Sequence, residues 1–543
     1  MKNYFICIGG SGARVLRAVV HMAACGLIRL ENLDVVLIDP DKDTKTTTIA
    51  VDELKDYQEV TRIYGKNKHF RPFITHFRQR ENDSYIISPM AENVSTLLDL
   101  CRTEPETEEI MSWFFKEGEL RQNLDKGFYA RPAIGSVFFS NFKNKDIEHL
   151  LETIIGALRN QEDVNLMFVG SVFGGTGASG MPTLLKLLAE ELEKEGRRGN
   201  ELYRYLHTGA VFVLPYFNVL DAETQIRKDG GIAIQIGSFT GNARQALYYY
   251  DAEQFYGSFT TDNCRKFQNI YLIGQSSLDD VCEYAVGSAG QKNKAHVVEL
   301  YGALAVGDYF GRVTEKKEAV EKEGIFVFAR EDKITWKSFP IPFGYQEGDV
   351  RRYIVSFLRF CVFFTFFIYE ELYESIHNGL EGINVYGRRR FFRREQWYYR
   401  LINEKDDGLK GNMNTIRAYC VDFLKWFYEI NAVYSAGTDK NEGNRLTLNA
   451  GGMELVGSVY EEIYQFLSAQ EESADTKDER SNSMMERYRK DILKSFEDLF
   501  TEEESQGKLS HMISRLNDRK RFEENYTEEL IDCIFDTLEG EFR

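Results

Sequence analysis

Gly174-Gly-Thr-Gly-Ala-Ser-Gly180 follows the apolar run Leu166-Met167-Phe168-Val169 and precedes the helical spacing of Leu184, Leu185, Leu187 and Leu188. A strand that ends in a glycine-rich turn and opens straight into a helix restricts this part of the chain to an α/β design, with the turn at a sheet edge. Such a turn is an anion cradle. Glycine lets backbone approach a ligand closely, amides point inward, and the helix N-terminus adds about half a positive charge. Thr176 and Ser179 add hydroxyls within reach of phosphate oxygens. The bland alternative is a plain tight strand-to-helix turn. No lysine follows the glycines, which excludes a Walker A loop.

The same pattern opens the chain. Tyr4 to Ile8 reads as a strand ending in Gly9-Gly10-Ser11-Gly12-Ala13-Arg14, and Val15, Leu16, Val19 and Val20 follow at helical spacing. Leu33 to Ile38 is a further buried strand that ends at Asp39-Pro40-Asp41, and carboxylates at the carboxyl end of a parallel strand lie where ligands bind in open sheets. Gly10-x-Gly12 meets Val15 where a dinucleotide fingerprint wants glycine or alanine. Residues 42–125 are polar and mixed, with helical stretches at Val94–Leu100 and Glu108–Phe115. Lys126 to Ser136 reads as a loop, because Pro132 disfavours helix at Arg131. Arg131 either meets a terminal phosphate or is a surface arginine, and Val137-Phe138-Phe139 is expected as a short strand.

Gly209 to Phe217 is a buried strand stopped by Pro215, with Asp221 and Glu223 just beyond. A helix over Ala243–Tyr250, a strand over Phe267–Ile273 and a long helix over 293–310, with Asn293 as a reasonable N-cap, complete this part. Strands alternating with helices imply a doubly wound, mainly parallel sheet over residues 1–323, whose glycine and acidic loops gather on one edge. A smaller α+β region is expected to open near Gly324 with the strand Ile325–Phe328 and to run to 469. Helical patterns there and beyond are Val350–Ile376, Arg394–Ile402, Thr415–Val433, Met453–Leu467, Met484–Leu499 and Thr527–Leu538. Residues 470–483 read as a flexible connection to the helices of 484–543.

Net charge sets limits on partners. At −18 over 543 residues, the average field repels nucleic acid and anionic membranes. The eight cysteines show no Cys-x-x-Cys spacing and read as buried hydrophobes in a reducing, cytoplasmic compartment; the first residues are not expected to be a leader. Tyr353 to Ile368 contains Arg359 and falls short of the roughly 20 residues a bilayer needs, so it is expected as a buried core helix. The histidines have no metal-ligand spacing. Arg388-Arg389-Arg390-Phe391-Phe392-Arg393-Arg394 is the one patch with a nucleic-acid pattern. It equally fits an acidic face of a neighbouring subunit, or a solvated helix with its aromatics turned inward.

Taken together, these segments resemble the tubulin/FtsZ superfamily, in particular its large, divergent prokaryotic members, over about residues 1–345. Gly174-Gly175-Thr176-Gly177 looks like the family's signature phosphate loop, with a departing tail of Ala178-Ser179-Gly180-Met181-Pro182. Gly9 to Ala13 is similar to the first nucleotide loop, Asp39 with Asp41 to the second, and Arg131 to Ser136, including Gly135, to the third, which faces the terminal phosphate. By the same resemblance Asp221 and Glu223 fall at the sugar loop, and Asn293 would contact the purine. The resemblance implies binding of GTP or GDP with Mg2+, head-to-tail filaments, and hydrolysis completed by acidic residues of the next subunit. It suggests a prokaryotic, cytoplasmic role, with an operon-encoded partner in a conflict or defence system. The family's Asn-x-Asp after the central helix is absent, which leaves Asp308, Glu315 and Glu318 as acidic candidates, each otherwise a solvated helix charge.

Three functions stay open at this point. One is a GTP-binding, polymerising protein with slow or partner-dependent hydrolysis. Another is a non-hydrolysing scaffold that recruits a partner through its helical C-terminal region. A Rossmann-type NAD or FAD oxidoreductase using Gly10, Gly12 and Asp39 is the last, and it gives the turn at residue 174 no role.

Overall fold

The computed structural model describes residues 1–41, 43–64, 72–78, 85–88, 94–101, 105–125, 127–128, 130–140, 145–220, 241–248, 267–275, 279–283, 294–315, 324–330, 336, 339–374, 407–431 and 526–539. The strands are β1 (Lys2–Ile8), β2 (Leu33–Ile38), β3 (Phe77–Arg78), β4 (Ile86–Ile87), β5 (Val164–Ser171), β6 (Leu206–Val213), β7 (Phe217–Leu220), β8 (Asn269–Gln275), β9 (Asp279–Glu283) and β10 (Gly324–Arg330). Eight of them form one parallel sheet in the order β10-β8-β6-β5-β1-β2-β3, with β4 also on β2; β7 and β9 pair separately. β1, β5 and β6 are almost wholly buried apolar runs, as a sheet covered on both faces requires.

Helices fill the connections: α1 (Gly9–Ala24), α2 (Lys45–Tyr64), α3 (Leu97–Cys101), α4 (Pro105–Phe114), α5 (Glu117–Leu120), α6 (Pro132–Ser140), α7 (Lys145–Arg159), α8 (Gly175–Lys194), α9 (Arg197–Leu202) and α10 (Val297–Thr314). Strand order reverses between β1 and β5. The chain leaves β1 toward β2 in one direction and β5 toward β6 in the other, so right-handed crossovers put α1 and α8 on opposite faces of the sheet. α1 packs with α2 and α10, and α8 with α6 and α7.

Two local readings are corrected. Residues 132–140, expected as the end of a loop and a short strand, form α6. Pro132 is its first residue, where a missing N–H and fixed φ favour a helix start, and Ile134 and Phe138 are buried four positions apart. The run Ile325–Phe328, expected to open the second region, lies in β10, paired with β8 at the edge of the main sheet. The central helix spans 297–314, four residues later than expected.

Beyond the sheet the described chain is helical: α11 (Asp349–Val362), which continues into wider π-type turns over Phe363–Glu374, then α12 (Asp407–Asn431) and α13 (Tyr526–Glu539). Aromatic rings join them, with Phe360 stacked 4.2 Å from Phe535 and Phe357 edge-on at 4.7 Å to Phe423. The 353–368 stretch is the expected core helix, and no described helix is long and apolar enough to cross a membrane. Cys7, Cys25, Cys361 and Cys420 are buried free thiols. The helices expected at 394–402, 453–467 and 484–499, the connection at 470–483 and the arginine patch at 388–394 lie outside the described residues.

Candidate functional site

The loops after β1 and β5 flank the point where strand order reverses, which is where an open α/β sheet leaves a crevice. They touch. Gly9, at φ +70°, comes so close to the first turn of α8 that a Cβ there would lie 3.0 Å from Thr176 Cβ. The third loop closes on the same turn, because a Cβ on Gly175 would stand 2.6 Å from Phe128 Cβ and 3.2 Å from Arg131 N. Asn242, in a short helix over 241–248, ties them: its Nδ2 donates to Ala130 O at 2.9 Å and to Phe173 O at 3.2 Å. Sequence reasoning missed Asn242, which has no motif around it.

Neither α1 nor α8 has a side-chain cap or an acidic residue in its first turn. Two adjacent helix N-termini therefore present amides and partial positive charge to one crevice, with no acidic residue in the first turn of either helix. Gly10, Ser11, Gly174 and Thr176 are half-buried there, and among the described residues neither the Ser11 nor the Thr176 hydroxyl has a partner. Ala13 and Ala178 are buried one turn further in.

Other residues of the two loops serve the protein itself. Ser179 is fully buried and its hydroxyl donates to Gly175 O at 2.6 Å, so it is turned into its own helix and away from any phosphate. Gly177 and Gly175 are glycines because protein presses on them: a Cβ on Gly177 would lie 2.6 Å from Ser171 O. Gly135 and Gly180 pack in the same way, against Ser179 and Ile8.

Asp39 and Asp41 lie at the end of β2, beside β1 in register. Both are buried, and each folds onto the following backbone: Asp39 Oδ1 accepts from Asp41 N at 3.1 Å, and Asp41 Oδ1 from Asp43 N at 3.3 Å. Burial pushes the Asp39 carboxyl up to about 7, with the Asp41 charge adding to it and the Asp41 N–H and Thr47 hydroxyl opposing it. Arg131 forms an ion pair with Glu119 of α5, and burial lowers its pKa.

The start of α10 is held against α1. Arg14 donates to Glu299 and to Lys294 O; Glu299 also accepts from Tyr216 OH at 3.0 Å and from His296 N at 3.0 Å, closing a capping box. Asn293 precedes this network directly but lies, with Asp221, Glu223 and Glu318, outside the described residues. Asp308 is a correction. It is buried, and accepts from Tyr271 OH at 2.6 Å, Arg312 Nε at 2.6 Å and Phe343 N at 2.8 Å. A carboxylate so engaged ties α10 to β8 and cannot be offered to a neighbour. Glu315, at the C-cap of α10, is half-buried and also has interactions of its own.

Among the described residues, no group of three or more His, Cys, Asp or Glu side chains is arranged to hold a metal. The turns after β1 and β5 thus meet at the switch point of a parallel α/β sheet. A family model described as tubulin-like matches residues 4–280, just over half of the chain, and the chain belongs to that family. No curated protein matches it.

Proposed function

We propose that this chain binds a guanine nucleotide, GTP or GDP, across the crevice between the β1 and β5 turns, and that it assembles head to tail. The observation that carries this reading is the pair of helix N-termini of α1 and α8, without side-chain cap or first-turn acid, meeting at Gly9 and Thr176. The triphosphate would lie on the amides of Gly10 to Gly12 and Gly174 to Thr176, with Arg131 near its end. Asp221 and Glu223 would meet the sugar and Asn293 the base. Asp39 and Asp41 are too few to cage a metal, so a Mg2+ would be held mostly by phosphate and water, which suits that ion.

Hydrolysis is proposed to be slow or partner-dependent, since in-line attack by water needs placed charge rather than a protein nucleophile. The commitment of Asp308 inside its own subunit favours a second reading, a scaffold that keeps its nucleotide and recruits a partner through the helical C-terminal region. An oxidoreductase is the least supported reading, because it gives the Gly174 turn no task. Identifying the nucleotide that co-purifies, then comparing GTP and ATP by calorimetry and by light scattering, tests the proposal. A nicotinamide or flavin in the preparation, or no binding of either triphosphate, overturns it.

A further inference from the structure

One peptide group beside the expected base position is gripped from both sides. Lys294 C=O accepts from Arg14 on α1, and the N–H of the same peptide, on Ala295, donates to Glu429 Oε2 on α12 at 2.9 Å. Glu429 Oε2 also accepts from Arg17 Nη1 at 2.8 Å. Arg17 in turn forks onto Glu53 of α2, its Nε at 2.8 and 2.9 Å from the two carboxylate oxygens. His21, one turn on, lies 2.9 Å from Glu53 through Nε2, and its Nδ1 is 3.2 Å from Tyr419 OH of α12. Burial lowers the His21 pKa while Glu53 opposes that shift, and Tyr419 OH also donates to Val20 O at 3.3 Å.

Arg14 and Arg17 are three residues apart on α1 and so project from neighbouring positions of one helix face. The Gly9–Gly12 turn opens the same helix, just before Arg14. α1 therefore links the phosphate end of the crevice to the 294–296 segment, while Glu429 holds that segment from α12. Glu429 lies outside residues 4–280, in the helical C-terminal region.

From this geometry we infer that Glu429 is a positioning residue for the base end of the nucleotide site, so that the C-terminal helix α12 sets base affinity from outside the nucleotide-binding sheet. The inference rests on the nucleotide reading above. Its sense is that Glu429 touches no ligand; it orients the Lys294–Ala295 peptide at the start of α10, beside the expected base position.

The experiment compares the full chain with Glu429→Ala and Glu429→Gln, using GTP and inorganic tripolyphosphate as probes. Glu429→Ala, which removes the bonds from both Ala295 N–H and Arg17, is expected to weaken GTP about tenfold while tripolyphosphate stays within about twofold, the tenfold being what loss of the Ala295 bond alone implies. Glu429→Gln, which keeps an acceptor for Ala295 N–H, is expected to restore most of the loss. Hydrogen exchange without ligand should rise at residues 295–298 in Glu429→Ala alone. Wild-type GTP affinity and unchanged exchange in Glu429→Ala overturn the inference, as does an equal loss of both probes with a fall in Tm, which marks a purely structural clamp. Failure of the wild-type chain to bind GTP at all overturns the nucleotide reading as well.

Discussion

Gly177 lies against the last residue of β5 with no room for a methyl group: a Cβ there would be 2.6 Å from Ser171 O and 2.7 Å from Ser171 N. Both contacts are to backbone, which cannot rotate aside. The third glycine of the signature turn is therefore required by helix-to-strand packing, whereas at Gly10 a Cβ meets nothing within 4 Å.

The two positions should respond oppositely to alanine. Gly177→Ala is expected to lose about 1–3 kcal/mol of stability through overpacking, with ligand binding falling as the α8 N-terminus shifts. Gly10→Ala should hold or raise stability by up to about 1 kcal/mol, because alanine suits a helix better. Its methyl would stand on the backbone proposed to cradle phosphate, with no protein atom within 4 Å, so nucleotide affinity should still drop about tenfold. Thermal melts beside calorimetric titrations check both; equal stability losses would contradict the distinction.

Much of this was legible because parallel strands are long apolar runs and glycine turns follow them directly. β1, β2, β5 and β6 were readable on that ground, as was the sharing of one sheet edge by the loops of Gly9–Ala13 and Gly174–Gly180. Which atoms face the ligand was not legible. Thr176 and Ser179 are both hydroxyls in the same turn, yet helical geometry leaves the first at the crevice and directs the second onto Gly175 O four residues back. Pro132 was read as a breaker for the residue before it, which is right, but it also starts α6. Asp308 looked like a solvated helix charge or a candidate acid because its partners Tyr271 and Phe343 are 37 and 35 residues away.

Asp39 gives a pH signature. Its folded pKa of about 7 stands above the ordinary 3.8, so between those values the folded chain holds a proton that the unfolded chain has released. Stability from this group is full below pH about 4 and declines as pH rises toward 7, by about 1.4 kcal/mol per unit at most. Without ligand, the wild-type chain should lose stability relative to Asp39→Asn across pH 4–7, and the difference should level off above about pH 7. Denaturant titrations of the pair at several pH values read this directly, and parallel curves would refute it.

Asn242 is expected to act as a latch between two loops. With its Nδ2 bonds going to two carbonyls, Asn242→Ala should cost about 1 kcal/mol and loosen residues 128–131, visible as faster hydrogen exchange there. Asn242→Asp should be worse than alanine, since a carboxylate would face two carbonyl oxygens. A milder effect from aspartate would mean that the side chain has other partners in solution.

Asp308 separates structure from catalysis. Its three donors come from β8, α10 and the segment before α11, so Asp308→Asn leaves at least one of them facing a second donor, and about 1–3 kcal/mol of stability should go with it. Burial and the neighbouring Asp308 charge together hold the Tyr271 hydroxyl well above the usual tyrosine range, which keeps it a donor at any physiological pH. Because that carboxylate faces its own core, GTP turnover per folded molecule, if the filament hydrolyses GTP, should be unchanged in Asp308→Asn once the temperature is kept below the lowered Tm. Mixing the variant with wild type sharpens the test: an acid offered across a subunit contact would make mixed filaments lose activity out of proportion to the variant fraction, whereas an internal tie predicts a rate that follows the folded concentration alone.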